Sequence, residues 1–372
     1  MRRAEATVDL DAVRANITEL RRRAGSAQVM AIVKADGYGH GAVQSALAAL
    51  SAGASWLGVA LVEEALALRA AGISEPLLVL LPPMEQVAAA LTAGVDLTVH
   101  SVGDLQRVAA AAAETGLRAR IQLKVDSGLG RGGQPAREWS SLLDATAAAA
   151  DQVQVVGVWS HLACSDRPAH PSIASQLTTF RDALDVAKAA GLSPEVVHLS
   201  NSGGLLGVPD ARFDLVRPGI ATYGLSPGPE HGTARELGLR PAMTLRAAVA
   251  LVKRLPAGHG IGYGHRYTTT TETSTAVIPL GYADGIPRAA TGVAPLWLAG
   301  RRRTIAGTVS MDQVVVDIGE DDVSVGDEAL LFGPGDQGEP TADDWGSALG
   351  TIGYEIVTRI GPRVPRRYLG ES

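Results

Sequence analysis

The sequence predicts an α/β protein: an N-terminal (β/α)8 barrel of the TIM type, followed by a C-terminal, mainly β domain. Three observations carry this. Eight short apolar runs alternate with alanine-rich amphipathic stretches through the first 216 positions. Polar residues suited to chemistry stand just after those runs, where a parallel barrel places its active site. From about residue 226 the stretch SPGPEHGTARELGLRP reads as a linker, and the patterns after it are those of strands with few helices between them.

The elements follow in order. An opening segment at 7–10 leads to a helix over 12–23, with Asp11 in the N-cap position. Apolar runs at 29–33, 56–61, 77–81, 96–99, 119–125, 153–159, 196–199 and 213–216 read as the eight strands. Helical patterns at 63–70, 85–91, 102–114, 139–150 and 172–190 lie between them, and Ser101 with Asp104 forms a capping box for the third. A closed barrel suits these repeats better than an open sheet, because closure leaves no edge strand. In the second part, runs at 244–255, 274–280, 295–298, 304–318 and 328–332 read as strands. The expected domains are 1–230 and 231–372, with the first ten or so residues packing against the second.

The composition excludes several classes. The 372 residues are 46% hydrophobic, enough for two packed domains, and the net charge of −6 with scattered basic residues argues against a nucleic-acid groove or a polybasic membrane anchor. The single cysteine, Cys164, excludes an internal disulfide framework and a Cys-rich zinc site. No apolar segment follows the basic N-terminus and none reaches membrane-spanning length, so a soluble, cytoplasmic protein is expected, with no metal.

Lys34 ends the first barrel strand and precedes the glycine-rich turn DGYGHG. A lysine at an apolar barrel mouth can lose its proton by desolvation, and a neutral amine is what Schiff-base chemistry with a carbonyl requires. The same position also suits a lysine that extends from the strand end into water. Lys124, Arg131, His161, Asn201, Ser202, Arg217 and Gly219 follow later strands. The stretches HLSNSGG (198–204) and RPGIATYGL (217–225) offer a hydroxyl and free amides where such barrels bind phosphate, although Ser-Gly loops often only turn the chain. GLGRGG at 128–133 lacks the strand, helix and acidic residue of a dinucleotide site. Arg217 could donate to a pyridine nitrogen without transferring a proton, or sit in an ordinary ion pair. In the β region, GHGIGYGHRYT, GYADGIPR and SMDQ interrupt the strand pattern.

Taken in order, VKADGYGHG, LKVDSGLGRGG, SHLACSD, HLSNSGG, VRPGIATYGL, GYGHRYT, GYADGIPR, SMDQ and RVPRRY span nearly the whole chain and closely resemble the bacterial alanine racemase family. The resemblance implies a pyridoxal 5'-phosphate enzyme that interconverts L- and D-alanine for peptidoglycan by a two-base mechanism. It also implies a homodimer whose active sites are shared. Lys34 would carry the cofactor as a Schiff base and act as one base; Tyr263 of the partner subunit would be the other. Arg217 would meet the pyridine nitrogen. Tyr38, Ser202, Gly219 and Ile220 would hold the phosphate, with His161 beside Arg217 and Tyr263. Arg131 and the Met311 amide would meet the substrate carboxylate, with Asp312 next to them, and Tyr282 and Asp166 would line the substrate entrance. Lys124 matches a lysine carbamylated in some members. Where some members have a phosphate-binding tyrosine, this chain has Pro362. The alternatives are a broad-specificity or serine racemase of the same family, and a pyridoxal-phosphate carrier without turnover, which would resemble the barrel alone.

Overall fold

The computed structural model describes residues 3–371; Met1, Arg2 and Ser372 lie outside the described residues. Strand β1 (Ala4–Asp9) precedes the barrel, which is built from β2 (Gln28–Ile32), β3 (Trp56–Val59), β4 (Leu77–Val79), β5 (Asp96–Val99), β6 (Ala119–Asp126), β8 (Val153–Trp159), β9 (Val196–His198) and β10 (Leu215–Val216). A two-residue strand, β7 (Gln134–Pro135), pairs only with β6. The barrel order is β10-β2-β3-β4-β5-β6-β8-β9, and every pairing within it is parallel. Closure between β9 and β10 is thin. It consists of a bridge between Asn201 and Arg217, with the Asp214 amide donating to Val197 O at 3.0 Å and the Arg217 amide to Ser200 O at 2.9 Å.

The outward faces of these strands pack under the helices. Ile121, Leu123 and Val125 of β6 are fully buried there with Leu97, Val99 and Val158. By the two-residue period of a strand, Arg120, Gln122, Lys124 and Asp126 take the opposite side. The barrel interior is therefore divided. Met30, Ile32, Trp56, Leu78, Val196 and Leu215 form an apolar part, while β5, β6 and β9 contribute buried Asp96, Thr98, Gln122, Lys124 and His198.

Three expectations need correction. Asp9, not Asp11, caps the first helix (Leu10–Ala24): its Oδ1 accepts from the Asp11 and Ala12 amides at 3.0 and 3.1 Å. The reason is that β1 keeps Asp9 extended, so the helix begins two residues sooner, and Asp11 instead pairs with Arg14 at 2.6 Å. The second, third and last barrel strands, β3, β4 and β10, are each two residues shorter than their apolar runs, and Lys124 lies inside β6 rather than after it.

In the second region the runs at 244–255 and 304–318 each break in two. The strands are β11 (Met243–Ala248), β12 (Leu251–Leu255), β13 (Gly260–Ile261), β14 (Tyr267–Thr268), β15 (Thr273–Ile278), β16 (Pro295–Leu298), β17 (Arg301–Thr304), β18 (Val314–Gly319), β19 (Glu328–Phe332) and β20 (Arg366–Leu369). Six of them form the sheet β17-β16-β19-β11-β1-β20, so the N-terminal strand belongs to this region; β12, β15 and β18 form a second sheet. Between β17 and β18 the Ser310 amide donates to Gln313 O at 3.0 Å, a turn that pushes Met311 and Asp312 outward. Two helices, Ala342–Leu349 and Gly353–Thr358, were not expected. The first has a readable start, since Thr341 and Asp344 form a capping box.

Asn16 ties the two regions together. It is buried on the first helix, donates to Thr222 O and Arg240 O at 3.2 and 2.9 Å, and accepts the Arg240 amide at 2.9 Å. Asn16→Ala would leave these backbone groups without partners, so we expect a loss of about 3 kcal/mol in unfolding free energy, measured by urea titration.

Candidate active site

Lys34 stands two residues past β2, at the C-terminal mouth of the barrel. The next four residues are left-handed: Ala35, Asp36, Gly37 and Tyr38 have φ of 52°, 52°, 61° and 54°. Three of them are not glycine, and each such residue costs about 1–2 kcal/mol. Local bonds hold the turn. Glu64 accepts the Ala35 amide at 2.6 Å along with those of Ala60 and Leu61, and Asp36 accepts the Ala42 amide at 2.9 Å. Buried His40 directs Nδ1 at Gly37 O and Tyr38 O, 3.1 and 3.0 Å away, and stacks on Tyr223 at 4.5 Å. Arg366 of β20 donates to Gly39 O at 3.0 Å.

This reversed turn aims Tyr38 at a cradle formed after β9 and β10. A Cβ at Gly219 would run into the Tyr38 hydroxyl, so glycine is required there. Ser202 Oγ accepts the Gly219 and Ala221 amides at 2.9 and 3.3 Å, and Ile220 is buried beside them. Sequence reasoning did not single out Tyr354, whose ring lies 6.3 Å from that of Tyr38. Pro362 is exposed.

Basic groups dominate the mouth. Burial, helped by the positive charges of Arg131 and Arg217, holds the Lys34 amine below its usual range against the pull of Glu64. Burial and the charges of Arg131 and Arg217 bring Lys124 down to about 8, and its Nζ lies 4.4 Å from the Trp159 ring. Arg131 is exposed on the loop after β6, whose start is organised by Asp126 accepting the amides of Gly128, Leu129 and Gly130 at 3.0–3.1 Å. Arg217 is 3% exposed. It donates to Ser160 O at 2.8 Å and Leu199 O at 3.0 Å, and its Nη1 meets His198 Nδ1 at 2.8 Å. His161 lies 3.3 Å from Arg217 Nη2 and 3.4 Å from Asn201 Nδ2. Burial, reinforced by Arg217, holds His161 and His198 well below the usual imidazole range. Sequence reasoning missed His198, although the motif HLSNSGG contains it, and missed Glu64.

The remaining candidates form a separate group on the β region. Tyr263 is 75% exposed and lines an open cavity of about 520 Å³ with Gly262, Ser310, Met311, Asp312 and Gln313. The Tyr282 and Ala283 amides clamp Ser310 O and Met311 O at 3.0 and 2.9 Å. Asp312 pairs with Arg363 at 2.7 Å. Asp166 is exposed on the loop after β8, beside Arg167. Among the described residues no hydrogen bond or ion pair joins the Tyr263 group to Lys34, and no cluster of three His, Cys, Asp or Glu could hold a metal ion.

Residues 8–227 match the family model described as Alanine racemase, N-terminal domain, and residues 242–368 match Alanine racemase, C-terminal domain. The chain belongs to the alanine racemase family. A curated alanine racemase of Frankia casuarinae is 59% identical over 99% of this chain and 96% of its own length. One from Thermobifida fusca is 58% identical over 99% and 98%. Among solved structures, the alanine racemase of a D-cycloserine-producing Streptomyces lavendulae superposes with a TM-score of 0.99 at 54% identity, covering 100% of this chain and 98% of the other. That of Bacillus anthracis with bound L-Ala-P gives 0.92 at 34% identity, over 100% and 96%. The chain is thus an amino-acid isomerase, an alanine racemase, and a barrel-only carrier is excluded by the C-terminal match. No described helix is long and apolar enough to cross a membrane.

The buried imidazoles make stability depend on acidity. Burial brings His40 down to about 4, and His161 and His198 are also depressed. Between the ordinary value of 6.5 and these lower ones, the unfolded chain binds protons that the fold does not. Stability is therefore full above pH 6.5 and is lost as pH falls toward 4, by up to about 3 kcal/mol from His40 alone. Urea unfolding from pH 7 downward should show this loss, and His40→Gln should reduce its slope.

Proposed function

We propose that this racemase works with pyridoxal 5'-phosphate, as a cytoplasmic homodimer supplying D-alanine for peptidoglycan, and that Lys34 and Tyr263 of the partner subunit are its two bases. The observation that carries this reading is the charge of the barrel mouth. Lys34 and Lys124 both feel the positive charges of Arg131 and Arg217 there, with Glu64 and Asp126 as opposing counter-charges. Such a set fits a phosphate dianion together with a substrate carboxylate. Gly219, with no room for a side chain beside the Tyr38 hydroxyl, fits a phosphate cradle.

Bound pyridoxal phosphate supplies an electron-withdrawing ring that acidifies the proton on the substrate Cα. Lys34, whose amine burial holds below its usual range, would bond the cofactor aldehyde and move the Cα proton on one face. Tyr263 of the partner subunit moves it on the other, so configuration inverts. Its exposure on an open cavity with Met311 supports a role facing another chain. Tyr38, Ser202, Gly219 and Ile220 hold the phosphate; with proline at 362, Tyr38 is the phenol at this cradle, backed by Tyr354. Arg217 donates a hydrogen bond to the pyridine nitrogen but keeps its own proton, which leaves the ring a weak electron sink and favours simple proton transfer over other pyridoxal chemistry. His161, neutral beside Arg217, links that residue to the incoming phenol. Arg131 and the Met311 amide orient the carboxylate, with Asp312 beside them, and Tyr282 and Asp166 narrow the entrance. Lys124, at about 8, has the partly neutral amine that carbamylation needs, and the resulting anion would steady Arg131.

Lys34→Ala should abolish racemisation; turnover surviving without an added amine would sink the assignment. Tyr263→Phe should slow Cα-proton exchange from L-alanine more than from D-alanine. The shared site has its own test. Mixing Lys34→Ala chains with Tyr263→Phe chains should restore about a quarter of the wild-type activity, from one intact site in each mixed dimer. No recovery, with mixed dimers demonstrated by native mass spectrometry, would rule out sharing.

A further inference from the structure

A run of buried polar side chains leaves Arg217 and crosses the barrel to its opposite end. Arg217 Nη1 meets His198 Nδ1 at 2.8 Å, His198 Nε2 meets Gln122 Oε1 at 2.7 Å, and Gln122 Nε2 donates to Asp96 Oδ2 at 3.0 Å. Asp96 Oδ1 then accepts Arg120 Nε at 2.8 Å, and Arg120 forks onto the more exposed Glu195 at 3.2 Å. Asp96 opens β5 and Arg120 lies near the start of β6, so this end of the run is the N-terminal face of the barrel. Asp96, Gln122, His198 and Arg217 are 3, 0, 0 and 3% exposed.

The proton positions along this run are forced from both ends. A carboxylate only accepts, so the Gln122 amide must turn its NH2 to Asp96 and its oxygen to His198. That oxygen needs a donor, which makes His198 the Nε2–H tautomer with a bare Nδ1. From the other end, a guanidinium only donates, so His198 Nδ1 must be bare. The two requirements agree. Room for this arrangement is provided on the neighbouring strand: a Cβ at Gly157 would come within 2.8 Å of the Gln122 amide carbon and oxygen. The pairing of β6 with β8 also shifts register at this point, between Ile121 and Gln122.

We propose that Asp96, at the end of the barrel remote from the mouth, is a positioning residue for catalysis: through Gln122 it sets the tautomer of His198 and so the direction in which Arg217 presents its N–H groups. The proposal rests on the reading of Arg217 as the pyridine contact. Asp96→Asn changes almost no volume and can keep the bond from Arg120, but it turns an NH2 toward the NH2 of Gln122. Gln122 must then flip, His198 must move its proton to Nδ1, and that N–H faces the N–H of Arg217. The clash is relieved only by displacing the guanidinium.

The test uses the holoenzyme labelled with ¹⁵N-histidine. Imidazole nitrogen shifts should report His198 as Nε2–H in the wild type and as Nδ1–H, or a mixture, in Asp96→Asn. In that variant kcat should fall about 10-fold or more, the absorption of the bound cofactor should shift, and KM for alanine should change less than about 3-fold. Gly157→Ala, which displaces the Gln122 amide from another strand, should move the same signals in the same direction and keeps the test open if Asp96→Asn does not fold. Glu195→Gln, which leaves both bonds to Asp96 intact, should leave the tautomer unchanged. An Nε2–H His198 in both Asp96→Asn and Gly157→Ala overturns the proposal, whatever their activity. A tautomer change with unaltered kcat and cofactor spectrum would leave the relay standing but count against Arg217 as the ring contact.

Discussion

The barrel depends on one awkward requirement: a guanidinium, Arg217, has to be satisfied in its interior. Burial alone brings this group down to about 9, which still leaves it a cation at neutral pH, and a buried cation without partners is among the costliest things a fold can hold. The thin seam between β9 and β10 resolves it. Because those strands pair only through the Asn201–Arg217 bridge and a few flanking bonds, Leu199 O remains free to accept from the side chain; Ser160 O, just past the end of β8, is a second acceptor and His198 supplies a third. Trp159 adds an aromatic face at 4.8 Å. The gap in the ladder and the fixed arginine are two sides of one arrangement. It closes the barrel and leaves a polar floor beneath the mouth.

The floor is matched by a rim under backbone constraint. Four consecutive left-handed residues after Lys34 would not persist in an isolated segment. They persist here because groups from both parts of the chain grip them: Glu64 and His40 from the barrel, Arg366 from β20, and the Val357 carbonyl, which lies where a side chain at Gly39 would have to go. The β region therefore contributes to the shape of the barrel mouth in its own chain, quite apart from anything it offers to a second one. Tyr223 completes the link: fully buried, it donates to Ile32 O at 3.0 Å, stacks on His40 and packs against the Tyr38 ring at a tilt of 33°.

Much of this was legible in the sequence, for reasons that also mark where legibility ends. Parallel strands buried on both faces appear as short apolar runs, so all eight barrel strands were found, three of them two residues too long because hydrophobicity does not report where pairing stops. Lys34 and its glycine-rich turn stood out because glycines and a lone lysine break such a run. The left-handed sense of the turn did not, since Ala35, Asp36 and Tyr38 carry no preference strong enough to announce it. Gln122 and Asp96 were invisible for a different reason: one polar residue in a strand reads as its solvent face, and only closure of the sheet turns that face inward. The helix at Ala342–Leu349 was hidden by a pattern of strands on either side, although its capping box was there to be seen.

The second group of candidate residues raises a question of geometry rather than of sequence. Tyr263, Met311 and Asp312 sit on turns that the β region has built with care: Asp284, fully buried, accepts the Gly281 amide at 2.9 Å and pairs with Arg3 at 2.9 Å and Arg363 at 3.3 Å, and Arg363 in turn holds Asp312. A buried carboxylate with two arginines is a costly anchor for a loop that only faces water. Rigidity of this kind is useful where a tyrosine must meet a reacting carbon to within a fraction of an ångström. On the proposed reading, the anchoring of Met311 and Asp312, together with Thr308 Oγ1 donating to Tyr263 O at 2.7 Å, adds to the exposure of Tyr263 in favouring a second chain as their destination. On the proposed reading each chain carries two preorganised half-sites, a basic mouth and a phenol-bearing loop, and neither can complete the reaction until another copy supplies its complement.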